Sequence, residues 1–161
     1  MTAKDLLAAY LNDHLAGSAT GVELAERLQA NNQGTPLGAV LAALVRDIKE
    51  DRATLEQLME RLGIDKSTVK QAGGWVAEKV AGLRFSKQVT GSADLSRLLE
   101  TETLSLGIEG KRSMWRALKE AATADARLAA TDFDSLIDRA QQQREALEPH
   151  RLQAAVTAFS S

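Results

Sequence analysis

The sequence predicts an all-α bundle, and three observations carry that prediction. The 161-residue chain contains 27 alanines and 23 leucines but only two prolines, a composition rich in strong helix formers. Apolar residues recur at three- and four-residue spacing, most clearly in Leu37, Leu41, Leu44, Ile48, Leu55, Met59 and Leu62. The periodic stretches are also separated by residues that stop and restart helices.

Each element follows from these signals. A first helix is expected over 2–30, stopping at Asn31-Asn32-Gln33-Gly34, where Asn and Gly tolerate left-handed geometry. Thr35 then caps a second helix over 36–62, with Pro36 in the first turn where its missing N–H is not needed, and Gly63 ends it. A shorter helix is expected over 65–81, capped by Asp65 or Ser67 and weakened by Gly73-Gly74, followed by a loop to Ser92. A long helix over 93–123 leads through a short connection to a last helix over 132–159, with Thr131 and Asp134 as a capping box. Pro149 lies inside that last pattern and predicts a kink. Helices of this length span roughly 40–46 Å, and their near-equality suits a single four-helix bundle over 1–161, with 65–81 as an extra helix in the crossover. Short connections make the first two and the last two helices antiparallel hairpins. A simple five-helix globule is the alternative.

Composition narrows the chemistry. Without cysteine there is no disulfide framework, thiolate nucleophile or cysteine metal site. Twenty basic against 22 acidic residues leave no surplus that would point to nucleic acid. No apolar run approaches the ~20 residues of a membrane helix, and no signal-peptide core is present, so a cytoplasmic protein is expected. Gly107 to Ser113 has the wrong spacing for a phosphate loop, and nothing resembles a nucleophile elbow.

Polar residues interrupt the apolar seams. The first helix carries His14 among Leu7, Leu11, Leu15, Ser18, Val22, Ala25 and Leu28. The second breaks at Asp51 and Arg52. The fourth segment's stripe (Leu95, Leu99, Leu106, Ala117, Ala121) breaks at Glu102 and Glu109, and the last breaks at Gln143, Arg144 and Arg151. Comparing heights along the bundle predicts a polar core layer of His14, Asp51, Arg52 and Glu109, with Arg144 or Arg151 as counter-charges, because an unpaired buried carboxylate is heavily penalised. Glu102 and Glu109 read as inter-helix salt-bridge partners, and Trp75 and Trp115 as packing anchors. The Leu15–Gly21 stretch, with Gly107 and Gly110, allows close helix approach.

Two hairpins, a long crossover and a polar mid-bundle layer resemble the ferritin-like superfamily. Tyr10-Leu11-Asn12-Asp13 resembles the first-helix motif of its small bacterial stress-associated branch, and Glu50 to Leu58 resembles that branch's acidic second-helix segment. The resemblance implies a dimetal site built from one Glu on each of two helices plus Glu-x-x-His on each of the others. By position its ligands would be Asp13, His14, Glu50 and Glu109 with Glu145 or Glu148, and iron or manganese its metal. The separations repeat, 37 residues from Asp13 to Glu50 and 36 from Glu109 to Glu145, yet the chain contains no Glu-x-x-His. The expected function is therefore a non-enzymatic ferritin-like bundle for interaction, assembly or stress response, with no cofactor, a salt-bridged layer in place of metal and a homodimer as its plausible partner. The alternatives are a carboxylate-bridged dimetal oxidoreductase or metal-storage protein, and a small-molecule binder in a mid-bundle cavity near the glycine patches.

Overall fold

The computed structural model describes residues 1–67 and 92–160, and within them the chain is all-α. Four helices pack against one another: α1 (Ala3–Asn31), α2 (Pro36–Arg61), α3 (Ala93–Ala121) and α4 (Phe133–Phe159). The 65–81 helix and Trp75 lie largely outside the described residues; residues 64–67 themselves are not helical. No described helix is long and apolar enough to cross a membrane.

The helix ends follow local chemistry. Thr2 and Asp5 form a reciprocal capping box on α1. Thr35 accepts from Gly38 N–H and Pro36 opens α2. Gly34 and Gly63, both at positive φ (77° and 63°), close the turns after α1 and α2. The α4 cap differs from the expected Thr131–Asp134 box: Asp132 is the N-cap and accepts from Ser135 N–H. The helix also continues as one element through Pro149.

Packing joins α1 to α2 and α3, and α4 to α2 and α3. Along α3 and α4, Lys119 meets Asp134, Lys111 meets Gln143, Glu109 meets Arg144 and Glu102 meets Arg151. Numbers fall on one helix as they rise on the other. The apolar side chains form two clusters. One gathers Leu11, Leu15, Leu55, Leu58, Met59, Met114, Trp115, Leu118 and Phe133. The other gathers Leu24, Leu28, Leu41, Leu44, Ile48, Leu104, Ile108, Ala140 and Leu147. Three of the four helices carry a polar residue at the boundary, Asp51 between Ile48 and Leu55, Lys111 between Ile108 and Met114, and Arg139 between Leu136 and Ala140.

The buried face of α3 is rotated from the expected one. It consists of Leu98, Thr101, Leu104, Ile108, Met114, Trp115 and Leu118, while Leu106 is 55% exposed and Ala117 and Ala121 face outward. Leu95 and Leu99 on the same side are only half-buried, so the periodicity taken from them has the wrong phase.

Candidate functional site

The centre of the bundle is a buried charge cluster around Asp51, which is 2% exposed. The Lys111 ammonium donates to Asp51 Oδ2 at 2.5 Å and to Gln143 Oε1 at 2.6 Å. Arg139 Nε donates to Asp51 Oδ1 at 2.9 Å, its terminal nitrogen reaches the same oxygen, and it also pairs with Glu50 at 3.2 Å. Gln143 Nε2 completes the set at 3.2 Å from Oδ2. One carboxylate is thus held by two cations and an amide, the arrangement a buried charge requires. Burial pushes the Lys111 amine below its usual value, with Asp51 opposing the shift.

The layer differs in membership from the expected one. The counter-charges of Asp51 are Lys111 and Arg139 rather than Arg144 or Arg151. Arg144 instead pairs with Glu109 at 2.7 Å, Arg151 with Glu102 at 3.0 Å and Glu148 at 2.6 Å, and Arg52 with Glu56 at 3.6 Å. These pairs lie toward the surface because each is displaced along its helix from the seam position. His14 is half-buried and packs T-shaped with Tyr10, ring centroids 4.7 Å apart and planes at 68°. Burial lowers the His14 pKa, with Asp13 opposing.

Gln143 marks one of the expected breaks in the last helix's seam, and Lys111 belongs to a pattern the sequence does carry, whereas Arg139 does not. Leu104, Ile108, Lys111, Trp115 and Leu118 follow alternating four- and three-residue steps, as do Leu44, Ile48, Asp51, Leu55 and Leu58. Both polar residues occupy seam positions, so reading the seams in that phase finds them. A second buried carboxylate, Glu100 (4% exposed), meets Arg27 at 3.2 Å and has no such precedent in the expected layer.

The residues that would hold a dimetal pair do not fit one. Glu50 is engaged by Arg139, Glu109 by Arg112 and Arg144, Glu145 by Gln141 and Glu148 by Arg151. Among the described residues no three His, Asp or Glu side chains converge on a point where an ion could sit. At mid-bundle the partner of the buried carboxylate is an ammonium and a guanidinium, which compete with a metal for the same oxygens.

Beside the charge layer lies a cleft of about 110 Å³ walled by α1, α2 and α3. His14, Gly17, Ser18 and Gly21 line it from α1, Ile48, Asp51, Arg52 and Leu55 from α2, and Leu104, Gly107, Lys111 and Trp115 from α3. Among the described residues, a side chain at Gly21 or Gly107 would meet no atom within 4 Å of its Cβ, so the small residues here leave space between the described helices rather than bring two of them into contact at those positions.

The chain matches no family model, curated protein or solved structure.

Proposed function

We propose that this chain is a non-enzymatic, cytoplasmic, ferritin-like bundle of two antiparallel hairpins that acts through protein contacts, with a salt-bridged layer where relatives of that architecture would hold metal. The observation that carries the reading is the Lys111 ammonium seated on buried Asp51 and Gln143, an internal cation in the middle of the bundle. The stress-related role comes with the resemblance alone. A contact face is supported by Leu152, Val156 and Phe159 on α4, which repeat at helical spacing and are 50%, 58% and 74% exposed. A second copy of the chain is the proposed partner there.

The test has two parts. Protein purified after growth with added iron and manganese should carry far less than stoichiometric metal. Near-stoichiometric metal, lost on Glu50→Ala or Glu109→Ala, would overturn the metal-free reading. Sedimentation should show a dimer that Leu152→Glu with Val156→Glu converts to monomer; a monomeric parent protein sinks the proposed homodimer.

The cleft beside the charge layer supports a second reading, that of a small-molecule binder.

A further inference from the structure

We infer that the cleft between α1, α2 and α3 binds a small, uncharged molecule with a ring-sized apolar body and a hydrogen-bond acceptor oxygen, such as a cyclic ketone. This inference rests on the small-molecule reading and names its ligand class. Size comes first. A cleft of about 110 Å³ suits a body of roughly one six-membered ring, since a cavity of about 150 Å³ lined by apolar side chains holds benzene. The walls are largely apolar, with Leu24, Ile48, Leu55, Leu104, Ile108 and Met114 contributing, which sets the body's chemistry.

The acceptor follows from the donors. Trp115 is fully buried and lines the cleft, and among the described residues its indole Nε1–H has no hydrogen-bond partner. An indole nitrogen is a donor only, and a buried donor without a partner is costly, so an acceptor oxygen is what it lacks. Arg52, in the same wall, has a buried Nε–H that likewise meets no acceptor among the described residues. Lys111 lines the cleft as well, with two of its three ammonium protons used by Asp51 and Gln143. All three groups offer protons. The ligand is uncharged because each cation here already has a carboxylate: Lys111 sits on Asp51, Arg139 on Asp51 and Glu50, and Arg52 on Glu56. Moving a carboxylate into such a cleft would cost its hydration without a free counter-charge.

The experiment follows the indole Nε1–H resonance of Trp115 by NMR in the full-length protein, assigned by its loss in Trp115→Phe. Cyclohexanone, methylcyclohexane and cyclohexanecarboxylate serve as probes. Cyclohexanone should shift the resonance downfield, as a hydrogen bond accepted from the indole does, and methylcyclohexane should not. Gly107→Leu, at a lining position where no described atom lies within 4 Å of a Cβ, should abolish binding while the helical circular dichroism is kept. A resonance that cyclohexanone moves no further than methylcyclohexane does would overturn the acceptor while leaving a binder. Tighter binding of the carboxylate would overturn the uncharged class. Binding unchanged by Gly107→Leu would overturn the site, and no binding by any probe would sink both the inference and the binder reading.

Discussion

Lys111 on α3 reaches across the bundle to Asp51 on α2, Nζ to Oδ2 at 2.5 Å, with the lysine side chain 16% and the aspartate 2% exposed. The pair ties two helices from different halves of the chain at the boundary between the two apolar clusters. Asp51→Ala removes the carboxylate and leaves an ammonium and a guanidinium facing each other, which should cost about 3–5 kcal/mol in urea unfolding. Asp51→Asn combined with Lys111→Met should cost less than the sum of the two single changes, because each single variant strands the other partner. Strict additivity would show that the two are not coupled.

His14 sets a pH dependence of known sign. Its pKa lies below the usual histidine value of about 6.5, chiefly because burial disfavours the imidazolium. The unfolded chain therefore binds more protons at this residue as pH falls below about 6.5, and stability drops until the folded-state value is passed. Most carboxylates titrate lower, near pH 4, so the window between about 5 and 6.5 reports on histidine. Urea midpoints measured across that window should decline toward acid, and His14→Gln should flatten the decline. A slope unaffected by that substitution would assign it elsewhere.

Two glycines should respond in opposite directions to alanine. At Gly38 a Cβ would stand 2.1 Å from the carbonyl oxygen of Asn32, in the turn that Thr35 caps. Gly38→Ala should cost about 1–3 kcal/mol through that overlap. At Gly107, inside α3, a Cβ meets no atom of the described residues within 4 Å. Gly107→Ala should stabilise by about 0.5–1 kcal/mol, since alanine loses less backbone entropy in a helix. Thermal unfolding of both variants checks the contrast.

Asn12 fastens the chain beyond α2 to α1. Its side-chain amide donates to the Asp65 carbonyl at 3.1 Å, and its carbonyl accepts from Ser67 N–H at 2.8 Å. Asn12→Ala should speed hydrogen exchange at the Ser67 amide and cost about 1 kcal/mol. Exchange as slow as in the parent protein would mean the Ser67 amide is protected by something other than Asn12.

Helix placement was legible because caps and breakers act locally. Thr2, Thr35-Pro36, Gly34 and Gly63 work through their own backbone and immediate neighbours, so their effect follows from a few residues. The phase of α3 was not legible from its first turns, because Leu95 and Leu99 supply an apolar row that is only half-buried. Arg139 beside the seam gives no periodic signal of its own, and its role comes from the aspartate across the bundle.

The sequence by itself determined that four long helices form, where they start and stop, and that polar residues must interrupt their seams. Capping, propensity and period are short-range, and each is written in adjacent residues. Only the tertiary structure decided which polar residues meet. Lys111 and Asp51 are 60 residues apart and Arg139 and Asp51 are 88, so their pairing depends on helix rotation and relative height. A rotation of one residue moves a side chain about 100° around a helix, enough to exchange a buried ion pair for a surface one. The cleft also belongs to that level, for it exists only where three helices leave a gap that no single helix records.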